Sequence, residues 1–138
     1  MRTIQNRQDL EDILNGTCIL GSGGGGPYSV GNALIEPIMK AGGVKLIEPS
    51  EAGDADHMAV AAGVGSPEAA TSDPGAFAKI PVIAFDALAK MRGVTFDNVL
   101  SVEIGAGNSF VPMAVAATQG IPMIDGSGAG RAVPSLTM

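Results

Sequence analysis

Four consecutive glycines, Gly23 to Gly26, stand between the apolar run Thr-Cys-Ile-Leu at 17–20 and a segment of helical periodicity that begins at Tyr28. Inside regular structure each glycine costs roughly 0.5–1 kcal/mol against alanine. A chain that keeps four in a row there either turns very tightly or lets something approach its backbone closely. The apolar run reads as a short buried strand, which makes the expected joint strand, glycine loop, helix. Such a loop exposes backbone N–H groups beside the positive end of a helix, a place suited to an anionic or carbonyl-bearing small molecule.

The pattern on either side predicts an alternation of helices and strands. Asn6 is placed to cap a helix over 7–15, with Leu10, Ile13 and Leu14 on one face and Gly16 closing it. Val30, Ala33, Leu34, Ile38 and Ala41 recur at helical spacing over 28–41, with Pro37 inside. Strands are expected over 44–48, 57–64, 98–105 and 121–125, and further helices over 82–93 and 109–120. Residues 65–79 are rich in turn formers and hold the expected mobile loop. This order predicts one α/β domain over 1–138, a mostly parallel sheet flanked by helices with glycine-rich loops at the C-terminal ends of its strands.

Composition narrows the partners. A net charge of −6, with only 8 basic residues scattered along the chain, argues against a phosphate-backbone partner. The single cysteine, Cys18, excludes an intrachain disulfide or a CxxC site and is expected as a small buried hydrophobe. No apolar run approaches the about 18 residues of a membrane span, and the charged N-terminus is unlike a secretory leader, so a cytoplasmic protein is expected. His57, between acidic residues in a turn, reads as a solvated loop residue, and no zinc cluster can be read from the chain.

Three glycine-rich turns follow expected strands: 21–26, 105–108 and 126–130. In an open parallel sheet such turns face one crevice, where ligands bind. The first matches G-x-G-x-x-G at Gly21, Gly23 and Gly26, with Glu48 placed 22 residues after Gly26, the outline of a dinucleotide site. Any glycine run satisfies that pattern, however, and Pro27 with Tyr28 crowd the position of a pyrophosphate. Near the turns stand few polar groups. Glu103 closes a strand and Asp125 another; a carboxylate at a strand end serves as general base or metal ligand. Arg131 either pairs with one of these carboxylates or forks onto a substrate carboxylate or carbonyl. Asn108 is either a helix cap or an orienting side chain. Ser22 lies in the first loop with no base nearby and no nucleophile elbow.

Taken together, the stretches LGSGGGGPY, VEIGAGNSFVPMAVAATQGIPMID and the closing GxGRAxPxLxM resemble the DUF917 family, the S-methyl thiohydantoin desulfurase-like proteins, in order and from about Leu10 to Met138. The resemblance implies an N-terminal α/β domain and chemistry on hydantoin- or thiohydantoin-type rings. It carries the family's strand-end glutamate onto Glu103 and its asparagine onto Asn108. The family closes with Asp-Ala-Asp-Gly-Met-Gly-Arg-Ala; Asp125 and Arg131 match, whereas Ser127 replaces the second aspartate and Ala129 the methionine. Family members continue into a C-terminal domain, which implies that this chain acts with a second chain or domain.

The expectation is therefore a small subunit or N-terminal part of a hydrolase-like enzyme acting on a cyclic amide. Glu103 and Asp125 are its catalytic carboxylates, and Ser22, Gly23, Gly24, Gly25, Gly26, Asn108 and Arg131 are its substrate contacts. Glycine-loop N–H groups would stabilise an oxyanion, and any divalent metal would be completed by the partner. The other readings are a non-catalytic domain for a small anionic metabolite and a dinucleotide-binding domain. The low charge and the uncharged residues 132–138 predict an extensive interface, with a partner docked over the glycine loops or with a second copy of the chain.

Overall fold

A computed structural model describes residues 1–65 and 72–135. Asn6 caps the first helix as its sequence predicts, its side chain accepting from the Asp9 N–H at 2.9 Å. That helix, α1 (Arg7–Gly21), runs six residues past the expected stop at 15. Leu10, Leu14, Thr17 and Gly21 form one buried stripe at helical spacing, so the period continues straight through Gly16. Thr-Cys-Ile-Leu is the last turn of a helix and not a strand. Ile19 and Leu20 are exposed on it, and half-buried Cys18 packs against the core.

The chain leaves α1 at Ser22, a non-glycine residue in the left-handed region at φ 50°, and passes through Gly23 at φ 90°. It then enters α2 (Tyr28–Lys40). The four glycines thus join two helices. The strand that a dinucleotide fingerprint requires before its glycines is missing, which removes the structural context of that reading.

Among the described residues the sheet has five strands in the order β1, β2, β5, β4, β3: β1 (Arg2–Ile4), β2 (Val44–Ile47), β3 (Met58–Ala61), β4 (Asn98–Ser101) and β5 (Met123–Ser127). The pairs β2–β5, β4–β5 and β3–β4 are parallel, whereas β1 pairs antiparallel with β2 through Arg2–Leu46 and Ile4–Val44. The short edge strand β1 has no counterpart in the sequence reading. Of the expected mobile loop, residues 66–71 lie outside the described residues; 74–78 form a 3-10 turn that Asp73 caps through the Ala76 N–H.

Helix α3 (Ile80–Arg92) links β3 to β4, and α4 (Ala106–Gln119) links β4 to β5. Helix α4 lies between the strands and α2, with α1 and α3 also against it, and every residue from Ala106 to Ala117 is buried. A helix apolar on all sides has to be buried on all sides. Phe110, Val111 and Val115, fully enclosed on it, each contribute about 1.5–3 kcal/mol of burial.

Candidate functional site

A proline inside a buried helix creates the first local problem that the site solves. Pro112 has no N–H to give the carbonyl of Asn108, four residues earlier in α4. The hydroxyl of Ser101, at the end of β4, lies 2.7 Å from that carbonyl and 2.8 Å from the carbonyl of Glu103. One hydroxyl proton thus serves the two carbonyls and ties the end of β4 to the start of α4.

The turn between them brings Glu103 and Asn108 together. Glu103 is only 7% exposed and so is Asn108. The Asn108 amide nitrogen donates to Glu103 Oε1 at 2.7 Å, and its oxygen accepts from the Gly63 N–H, just beyond β3, at 2.8 Å. The Val133 N–H donates to Glu103 Oε2 at 2.7 Å. Glu103 is therefore a buried carboxylate held on both oxygens by neutral donors, with no ion pair to it among the described residues. Asn108 is the third residue of α4; the N-cap is Gly105, so the capping reading of Asn108 does not hold.

The two residues sit in a cleft of about 560 Å³. Its walls are Gly25, Gly26, Pro27 and Val30 from the α1–α2 joint and α2, Ala62 to Gly65 after β3, Phe77, Val102, Gly107, Val111, and Val133 to Ser135. The size is that of an ordinary small-molecule site, apolar with few polar groups.

The glycine run serves this site by close approach. The Gly25 carbonyl accepts from both Gly107 N–H (2.9 Å) and Asn108 N–H (2.8 Å), capping α4. A Cβ on Gly25 would lie 2.5 Å from the Gly105 Cα, and one on Gly26 3.0 Å from the Gly107 Cα. The joint and the helix start thus meet backbone on backbone. These two helix N–H groups are already spent on Gly25, so they are not the oxyanion donors that the sequence suggested.

Of the other expected site residues, Ser22 caps α1, its hydroxyl turned to the Ile19 carbonyl, and neither it nor Gly23 nor Gly24 lines the cleft. Asp125 is exposed and pairs with Arg2 at 3.2 Å, outside the cleft. Arg131 is exposed beyond β5 and pairs with neither Glu103 nor Asp125. Ser127, where the resemblance expected an aspartate, accepts the Gly130 N–H at 2.8 Å, a turn-closing role that a serine hydroxyl fills. The Gly63 and Val133 donors were missed because a backbone N–H leaves no mark in the residue type. Among the described residues no group of three His, Cys, Asp or Glu side chains could hold a metal ion, and no helix is long and apolar enough to cross a membrane.

The family model described as S-Me-THD-like, N-terminal domain matches residues 8–138. The chain belongs to this family. A crystal structure of a protein from Chromobacterium violaceum is similar to this S-Me-THD-like domain, with a TM-score of 0.83 and 31% identity, covering 99% of this chain. The domain spans 37% of the length of that protein. No match is found among curated proteins.

Proposed function

We propose that this S-Me-THD-like chain forms the substrate-binding part of an enzyme that acts on a small neutral cyclic amide, a hydantoin- or thiohydantoin-type ring. The observation that carries the reading is Glu103, a buried carboxylate at the wall of an apolar cleft with no cation paired to it among the described residues. A ring N–H is the complement of such an acceptor, and the aliphatic and Phe77 walls suit a flat, weakly polar ring. Glu103 is within the cleft to take a proton from a ring N–H or an attacking water as general base. Asn108 orients it from a helix whose residues from Ala106 to Ala117 are all buried.

The same charge argues against the small-anion reading. An anion in this cleft would face Glu103 with no cation among the cleft-lining residues, since Arg131 and Arg2 lie elsewhere. Among the described lining residues Glu103 is the one His, Cys, Asp or Glu side chain, so a divalent metal here needs ligands from elsewhere. The reaction therefore calls on a second polypeptide or domain, the kind of additional chain that makes up the rest of the longer Chromobacterium protein. We place it at the cleft mouth, where it completes the site.

The test incubates the chain, alone and with the remaining portion of a longer family member, with hydantoin and its 2-thio and S-methyl-thio analogues, and follows loss of the ring. Glu103→Gln, whose NH2 must face one of the two N–H donors, is expected to abolish turnover in the assembled enzyme while the chain still folds, with a lowered melting temperature. Turnover at the wild-type rate would remove Glu103 from the mechanism. Ring binding without turnover in both mixtures would make this a binding domain.

A further inference from the structure

We propose that residues 132–135 form a strap that holds Glu103 Oε2 when the cleft is empty and opens independently of the rest of the fold, freeing that oxygen for a ligand N–H. The inference rests on the reading of the cleft as a ligand site. Past β5 the chain is still tied to the sheet, with Gly128 N–H on the Ser101 carbonyl (3.1 Å) and Ala129 N–H on the Val102 carbonyl (3.0 Å). The turn closed by Ser127 then brings Gly130 to φ 71°, and Arg131 is exposed. From that pivot Ala132 lies on the bare backbone of Gly24, where an added Cβ would come within 2.6 Å of the Ala132 methyl group. The next N–H, that of Val133, reaches Glu103 Oε2.

The two oxygens of Glu103 are thus held differently. Oε1 is held by Asn108 from the enclosed helix α4, whereas Oε2 is held by the main chain of a peripheral segment. A desolvated carboxylate left without its donor is unfavourable, so the strap stays closed over an empty cleft. Exchanging the Val133 N–H for a ligand N–H conserves the number of hydrogen bonds, and the ligand displaces the strap without leaving an acceptor unmade. This also accounts for Gly24, whose missing side chain is the seat of the strap.

Backbone hydrogen exchange of the whole chain, followed by NMR, decides this without a ligand. The Val133 amide is expected to exchange at least about tenfold faster than the Asn108 amide, with a rate insensitive to low urea, as local opening requires. Equal rates with the same urea response would overturn the strap and make the segment a fixed tether. In Gly24→Ala the Val133 amide is expected to exchange about tenfold faster again while Asn108 is unchanged; an unchanged Val133 rate counts against the seat on Gly24. Hydantoin, added as the probe, separates the two proposals. If it perturbs the Gly63 amide, Val133 exchange must rise, and continued protection overturns displacement. If it perturbs no cleft amide, the ring-binding reading falls, while the strap stands or falls on the ligand-free rates.

Discussion

The Asn108 amide nitrogen donates to Glu103 across 2.7 Å while its oxygen holds the Gly63 N–H, so the amide can face only one way. Asn108→Asp keeps the shape and the bond to Gly63 but sets a second carboxylate against Glu103 with no proton between them. It is expected to destabilise the fold by about 2–3 kcal/mol at pH 7, the cost of an unmade buried bond plus like-charge repulsion. Urea titration at pH 7 measures the loss; an Asn108→Asp chain as stable as the wild type would count against this pairing.

Ser101 compensates for Pro112, and that pairing predicts a non-additive double mutant. Ser101→Ala leaves the Asn108 carbonyl without its donor and is expected to cost about 1–3 kcal/mol. Pro112→Ala restores a helix N–H to the same carbonyl, so in its background the serine hydroxyl matters less. A double-mutant cycle by chemical denaturation should give a coupling of about 1 kcal/mol or more. Strict additivity would separate the two residues.

Glycines that look alike in sequence are expected to respond in opposite directions. Gly16 lies inside α1 with nothing within 4 Å of an added Cβ, so Gly16→Ala should stabilise by about 0.5–1 kcal/mol. Gly25 has φ 71° and a Cβ position 2.5 Å from the Gly105 Cα, and Gly25→Ala should destabilise by at least about 2 kcal/mol. Melting temperatures of the two variants report the contrast directly.

The ion pair between Asp125 and Arg2 is exposed on both sides, and such pairs contribute at most about 1 kcal/mol. Asp125→Ala is therefore expected to change stability within that limit and to leave hydantoin affinity, measured by calorimetry, unchanged. A large loss of affinity would return Asp125 to the site.

Much of this arrangement was legible in the sequence. The helix cap at Asn6, the helices α2 and α4, the buried residues Val30, Leu34 and Ile38 of α2, and four strands follow from spacing and residue type alone. The five-residue interval from Glu103 to Asn108 spans a strand-to-helix turn, which is why those two residues meet. Thr-Cys-Ile-Leu misled because a short apolar run has no period of its own, and Gly16 looked like punctuation. The stripe Leu10, Leu14, Thr17, Gly21 settles it, but only when counted across that glycine. Donors at Gly63 and Val133 belong to the backbone and depend on tertiary placement, as does the Arg2 partner of Asp125.

Where Gly25 and Gly26 lie against Gly105 and Gly107, no side chain stands between the helix joint and the start of α4. Side chains at an ordinary contact absorb small displacements by changing rotamer; main chain pressed on main chain has no such slack. The Glu103–Asn108 wall is consequently stiff, its conformational entropy given up during folding and not at the moment a ligand arrives. Association at that wall should carry a small ordering penalty and a negative heat-capacity change set by drying the apolar walls.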